Sequence, residues 1–321
     1  MKKIGIVLIV QTLFVRALQI VIVGLFVTVG TNLLVRLVPG DPARAILGEK
    51  ASAEVVGALR HELGLDQPVI QQIAGALGRL LQGDLGTSFA YRGREVLSLI
   101  APGLAVTASL AAVAIVLSLV MGVPVGLWLA LVRRTAADLV GRLGITILLA
   151  LPSFMAALII LYFLSLKLGL APAGGWAGTW PQNVRYVWLP ALALTTYLGP
   201  LIARTVRQAA LDAIGQPFVE AARARGVPLR SIVLRHVLPN ALLPVITLVG
   251  FNAGILVSGA VTVEAVFAIP GLGSKLLQAM ATRDLPVMQG IALITAVSIV
   301  LFNLLADFLN IAVDPRIRRS L

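Results

Sequence analysis

Two histidines, His61 and His236, and no cysteine are the only imidazole and thiol chemistry this chain of 321 residues offers. Disulfides, thiolate metal sites and a cysteine nucleophile are thereby excluded. The residues whose types and spacing stand out suit the non-covalent recognition of another surface. They are Glu220-Ala-Ala-Arg-Ala-Arg-Gly226, followed by His236-Val-Leu-Pro239. Pro217 suits a first helical position and Gly226 the position just past a last one, the asymmetry of a short helix. On that helix Phe218, Ala221 and Ala222 share one side, and Glu220 and Arg223 stand three apart on another. Small alanines admit a close approach, and a charged pair orients it. Gly226 then turns the chain and Pro228 opens a second helix leading to Leu238-Pro239. The expected form is a short helix lying across a membrane face and presented as a knob. A helix resting on lipid is the competing form, but its apolar face would be thin and would contain Arg225. His236 sits among basic residues and reads as a packing or hydrogen-bonding group before a ligand.

The elements that must hold this segment are membrane spans. Apolar residues make up 59% of the chain and charged ones 12%, with a mean hydropathy of +0.97. A soluble domain sits near half apolar and a quarter charged. The expected fold is therefore all-α and polytopic, a single transmembrane domain over 1–321. At roughly 20 apolar residues per helical span, about six fit: 17–35, 106–131, 144–166, 188–203, 242–263 and 287–313. Lys2-Lys3 resembles the start of a secretory signal, but the apolar run continues to Val35 with Arg16 its only basic interruption, so a retained span is expected. Pro124, Pro152, Pro190, Pro200 and Pro244 lie in or beside the spans, where each removes an N–H donor and tends to kink a helix.

A long interval, 36–101, follows the first span and carries seven basic and seven acidic residues. Placing the N-terminus, the 132–143 loop, the 204–240 loop and the C-terminal tail on one side gives that side fifteen Lys and Arg against five Asp and Glu. The other side has eleven against nine. Basic residues are retained in the cytoplasm, so both termini and the 204–240 loop are expected there and 36–101 outside. The net charge of +12 is read the same way, in preference to nucleic-acid binding.

The pattern from Glu220, Ala221 and Ala222 through Gly226 to Leu238 and Pro239 resembles the cytoplasmic signature of ABC importer permeases fed by a binding protein. In that family the segment forms the coupling helix that fits a cleft of the ATPase subunit. The resemblance thus assigns ATPase coupling to Phe218, Glu220, Ala221, Ala222, Arg223, Arg225, Gly226, His236, Leu238 and Pro239. The family commonly has Ile where this chain has His236. Further stretches resemble the dipeptide/oligopeptide/nickel group: Arg36-Leu-Val-Pro-Gly-Asp-Pro42, Leu63-Gly-Leu-Asp66 with Pro68, and Gly83-Asp-Leu-Gly-Thr-Ser88. So do Arg235-His236 with Asn240-Ala-Leu-Leu-Pro244, Glu264 with Phe267 and Pro270-Gly-Leu-Gly273, Asp284-Leu-Pro286 and Asp314-Pro-Arg316. The long interval after the first span is similar to that of the B-type subunit. The resemblance implies a homologous second permease, two cytoplasmic ATPases holding ATP and Mg, and an extracytoplasmic binding protein touching Glu264, Pro270, Gly271 and Gly273. It implies a bacterial inner-membrane location, and a cargo of peptides, nickel complexes, glutathione or sugars that the spans do not discriminate.

What the sequence lacks fits that division of labour. No G-x-x-x-x-G-K-[ST] occurs; Gly271-Leu-Gly-Ser-Lys275 has the lysine without the spacing. The expectation is a translocation subunit that binds no cofactor or metal and is not itself an enzyme. The alternative is an ion-coupled secondary transporter. Its clearest support is Asp307, on one face with Asn303 and Asn310, which reads more simply as interhelical polar glue.

Overall fold

The computed structural model describes residues 2–37, 42–47, 51–62, 66–91 and 93–313. Among them the regular elements are helices, with an isolated antiparallel bridge between Thr87 and Glu95. In chain order these are α1 (Lys2–Leu37), α2 (Pro42–Leu47), α3 (Ala53–Glu62), α4 (Val69–Leu81), α5 (Val96–Leu131), α6 (Ala136–Ala150) and α7 (Ser153–Ile160, continued by a π-helical Leu161–Lys167). Then come α8 (Val184–Ile214), α9 (Pro217–Ala224), α10 (Leu229–Ile232), α11 (Leu238–Val266), α12 (Leu272–Thr282) and α13 (Leu285–Val313). A π-helical Val233–Val237 joins α10 to α11 without a break. The expected motif residues 38–41, 63–65 and 314–316 lie outside the described residues.

Long, almost uncharged apolar runs dictate where the spans fall. Among the described residues five helices are long and apolar enough to cross a bilayer: part of α1, α5, α8, the continuous α10–α11 and α13. The sixth differs from expectation. In place of one span at 144–166 stand α6 and α7, bent by 103°. Pro152 is the cause. Its ring disfavours the helical region for the residue before it, and Leu151 is accordingly extended at φ −80, ψ 119. Helix boundaries also shift outward. The fifth helix starts at Val96, inside the interval expected to be polar, and α6 starts at Ala136. Thr135 Oγ1 accepts from Asp138 N at 3.3 Å there, the N-terminal half of a capping box.

The chain packs as two compact units. The first comprises the chain through Thr107 together with Pro270–Val300; the second comprises Ala108–Ile269 and the chain from Leu301 onward. The core of the first brings Val96 and Ile100 of α5 against Leu272 and Ala279 of α12 and Val287 and Ile291 of α13. In the second unit α8 is the axle. It packs on α6, α7 and α11, and 15 of its 31 residues are buried. Its two internal prolines, Pro190 and Pro200, are both buried, in a helix whose neighbours can compensate the lost N–H groups.

Two glycines let α5 approach α8 closely within the second unit. A Cβ on Gly122 would stand 2.6 Å from the Gly199 carbonyl oxygen, and one on Gly126 2.4 Å from that of Ala203. Four residues apart, they put one bare helix face against a backbone, the small-residue packing that replaces the hydrophobic driving force in lipid.

Candidate functional site

The segment singled out by spacing folds as a capped helix and a turn. Pro217 is the first residue of α9, where its missing N–H costs nothing. At the other end Gly226 takes φ +75, with Gly226 N donating to Arg223 O at 2.9 Å and Val227 N to Ala222 O at 3.2 Å. That pair of bonds is a Schellman motif, and it needs the left-handed conformation glycine adopts freely. Pro228 then caps α10.

Burial divides α9 into two faces. Val219 and Ala222, three apart, are buried at 0% and 2% exposed, and α9 packs on α10. Phe218, Glu220, Ala221, Arg223 and Arg225 are all exposed. The wheel grouped Ala222 with Phe218 and Ala221; the structure instead turns Ala222 inward beside Val219, a residue the motif passes over. Burying Val219 takes a side chain with only apolar atoms out of water. Among the described residues no ion pair joins Glu220 to Arg223, so the outward charges stay open. Arg225 Nε donates to the Ala221 carbonyl at 3.1 Å. His236 is exposed, its ring 6.3 Å from that of Phe218 at a 55° tilt, while its carbonyl accepts from Asn240 Nδ2 at 2.6 Å. Leu238 is half-buried and Pro239 exposed. Phe218 and His236 thus make one exposed aromatic patch beside the open charges of α9.

The other expected site residues separate. Glu264 is fully buried at 0% exposed, so in this conformation it offers no surface to another protein. Gly271 and Gly273 are buried too, and Pro270 alone of the four is exposed. Two of the motifs meet each other instead. Asp284, 1% exposed, accepts from Ser88 Oγ, from Phe89 N at 3.1 Å and from Ala90 N at 3.2 Å. Gly83–Ser88 and Asp284–Pro286, 196 positions apart at the bonded residues, are two halves of one junction. Asp307 is half-buried and is not an isolated charge.

Sequence reasoning counted Asp138 and Arg207 only as charges. In the structure Arg207 Nε and Nη2 donate to the two carboxylate oxygens of Asp138 at 2.9 and 3.0 Å, a bidentate pair joining α8 to α6. Arg134 N adds a bond at 3.3 Å and Arg142 Nε lies 3.5 Å away. Thr135-x-x-Asp138 announces the helix start, but nothing local announces a partner 69 residues on. As a whole, α8 and α11 pack on each other and are linked through α9, whose outer face is polar and exposed.

A sequence model described as binding-protein-dependent transport system inner membrane component matches residues 122–319, and the N-terminal model for such membrane components matches 9–111. A Brucella abortus (strain 2308) protein named for a peptide transport system permease is 37% identical over 307 residues, covering 94% of this chain and 97% of its own length. The glutathione transport system permease protein GsiC of Salmonella typhimurium (strain LT2) is 36% identical over 309 residues, with the same coverage. Among solved structures, a chain from inward-facing conformations of the MetNI methionine ABC transporter superposes with a TM-score of 0.58 at 24% identity. It covers 68% of this chain and 97% of its own length, a likeness of fold.

Proposed function

This chain is an ABC importer permease subunit, a member of the binding-protein-dependent transport system inner membrane component family, and from that premise we propose that α9 and the turn after it are its coupling joint to an ATPase. One observation carries the reading. The outward face of α9 presents Phe218, Glu220, Ala221, Arg223 and Arg225, while its inward face and the unbroken α10–α11 helix tie that face to a membrane span. A partner pushing on α9 therefore moves α11, and through it the helices packed there. Nucleotide moves such an equilibrium only by binding the two states of the assembly unequally, so the joint must sit where the ATPases approach and separate.

In the same reading, the protein is a multi-pass component of the bacterial inner membrane with both termini and 204–240 in the cytoplasm and 36–101 outside. It forms half of the pathway with a homologous permease, beside two ATPases that hold ATP and Mg. An extracytoplasmic binding protein delivers a peptide or a related small solute, the class named for the Brucella and Salmonella relatives. Of the outer residues expected to meet that protein, Pro270 is the one exposed to do so.

Glu220→Arg and Gly226→Val test the joint in the assembled transporter. Reconstituted ATP-driven uptake should fall by at least about 10-fold in each, in Glu220→Arg through one lost charge-assisted contact and in Gly226→Val through the distorted turn. ATPase co-purification should weaken in both, with the amount of folded permease unchanged in Glu220→Arg. Wild-type uptake and assembly in both variants would sink the proposal. Uptake driven by a proton or sodium gradient without ATP would favour the ion-coupled alternative.

A further inference from the structure

The junction between Gly83–Ser88 and Asp284 holds a cavity of about 230 Å³ in the first unit, with Tyr91, Arg94, Lys275, Gln278, Thr282 and Asp284 among its lining. Asp284 is a positioning residue. Its carboxylate gathers Ser88 Oγ and two backbone N–H groups, and Ser88 Oγ in turn accepts from Tyr91 N at 2.8 Å. The loop continues through Arg94 N to Tyr91 O at 3.0 Å and Ser88 N to Arg94 O at 2.9 Å. The backbone of Tyr91 and Arg94 is thereby held at the cavity wall, with both side chains exposed. From the opposite wall Gln278 Nε2 donates to Tyr91 Oη at 2.9 Å. The phenol oxygen is used as an acceptor there, so its own proton remains available to a ligand.

Lys275 is held as deliberately. Its stem lies over Gly103, where an added Cβ would stand 2.9 Å from Lys275 Cδ and 3.1 Å from the Gly271 carbonyl carbon. Glycine at 103 makes room for the stem, and Lys275, half-buried as a whole, lines the cavity. Among the described residues neither Arg94 nor Lys275 forms an ion pair. Against these two cations the cavity has one carboxylate, Asp284, already surrounded by three donors. One positive charge is in excess, and the free donors are a guanidinium fork, an ammonium and a phenol proton. A planar two-oxygen anion matches that set, since it accepts from a fork and a point donor together. The apolar remainder of the wall, Leu99, Ile100 and Val287, suits a small uncharged body attached to it.

We propose that this cavity binds the carboxylate of a small organic acid, such as the C-terminal end of a short peptide, through Arg94, Lys275 and the Tyr91 hydroxyl. The inference concerns the first unit and does not depend on the coupling role of α9. N-acetylalanine, which carries one carboxylate and no ammonium, is the probe, with N-acetylalaninamide as its neutral twin and inorganic phosphate as the competing anion. Equilibrium binding to the purified full chain in nanodiscs should show N-acetylalanine bound at least about 10-fold more tightly than either. Arg94→Gln and Lys275→Gln should each weaken it about 10-fold, the loss expected for one charge-assisted bond. Both variants should keep the wild-type thermal midpoint, because among the described residues neither side chain has an ion-pair partner to lose and glutamine keeps part of the stem over Gly103. Equal binding of the acid, the amide and phosphate would overturn the proposal, as would variants that bind like wild type. If N-acetylalanine fails to bind while Lys275→Gln loosens the extracytoplasmic binding protein, the cavity serves a protein side chain and the small-acid assignment falls.

Discussion

The Pro217–Val237 stretch and the Ser88–Asp284 junction are both built from turn motifs and charged residues, yet they treat their charges in opposite ways. At the junction, Asp284 is 1% exposed and accepts three bonds from its own chain. Along α9, Glu220 and Arg223 are exposed and stay apart. A buried carboxylate without donors would be very costly, so the junction has to satisfy Asp284 internally. An exposed charge in water has no such need and is free for a partner. Motif residues thus divide into those that hold the protein to itself and those that face outward, and burial is what tells them apart.

Substitutions should separate the two kinds by their effect on stability, which runs opposite to their effect on transport. The largest loss is expected for Asp284→Ala, which leaves Phe89 N, Ala90 N and Ser88 Oγ without their acceptor. About 3 kcal/mol should go, visible as a fall of several degrees in the thermal midpoint of the purified protein. Gly126→Ala comes next at about 2 kcal/mol, because its methyl would press on the Ala203 carbonyl in a helix pair with no room to give. Gly226→Ala should cost about 1 kcal/mol through its left-handed backbone, with open space around the new methyl. Glu220→Gln should change stability by less than about 0.5 kcal/mol while uptake falls at least about 10-fold. A stability loss at Glu220 as large as that at Asp284 would erase the distinction.

The Asp138–Arg207 pair offers a sharper version of the same test. It is internal like the junction, but it ties α8, the helix that leads into the joint, to α6. Asp138→Asn with the Arg207 partner retained should lower the thermal midpoint and also blunt ATP-driven uptake, because α8 would no longer move as one piece with α6. A pure stability effect, with full uptake per folded molecule, would assign the pair to architecture alone.

Much of the fold was legible because membrane spans announce themselves locally. Some twenty apolar residues in a row have few places to go, and the fivefold-or-sixfold count follows from runs visible one at a time. The short helix 217–224 was equally legible at its ends, since Pro217 and Gly226 act through their own backbone. Of the face expected to admit another surface, Phe218 and Ala221 are exposed and Ala222 is buried: which side of a short helix turns inward depends on what it meets, and Val219 meets the rest of its unit. Pro152 signalled a kink, but whether the helix bends slightly or turns by 103° depends also on the packing of α6 and α7 on α8.

The sequence by itself determined the membrane class, five of the long apolar helices, the short helix of 217–224 and, through motif spacing, the family. Those are properties of neighbours along the chain, fixed by hydrophobicity, by backbone donors and by the angles that proline and glycine allow. The tertiary structure alone decided that Asp284 belongs to Ser88, that Arg207 belongs to Asp138, that Glu264 is buried and that Gly122 and Gly126 meet a helix backbone. Each of these joins residues far apart in sequence, and no local preference encodes a partner. They exist because groups removed from water must find donors or contacts wherever the fold brings them.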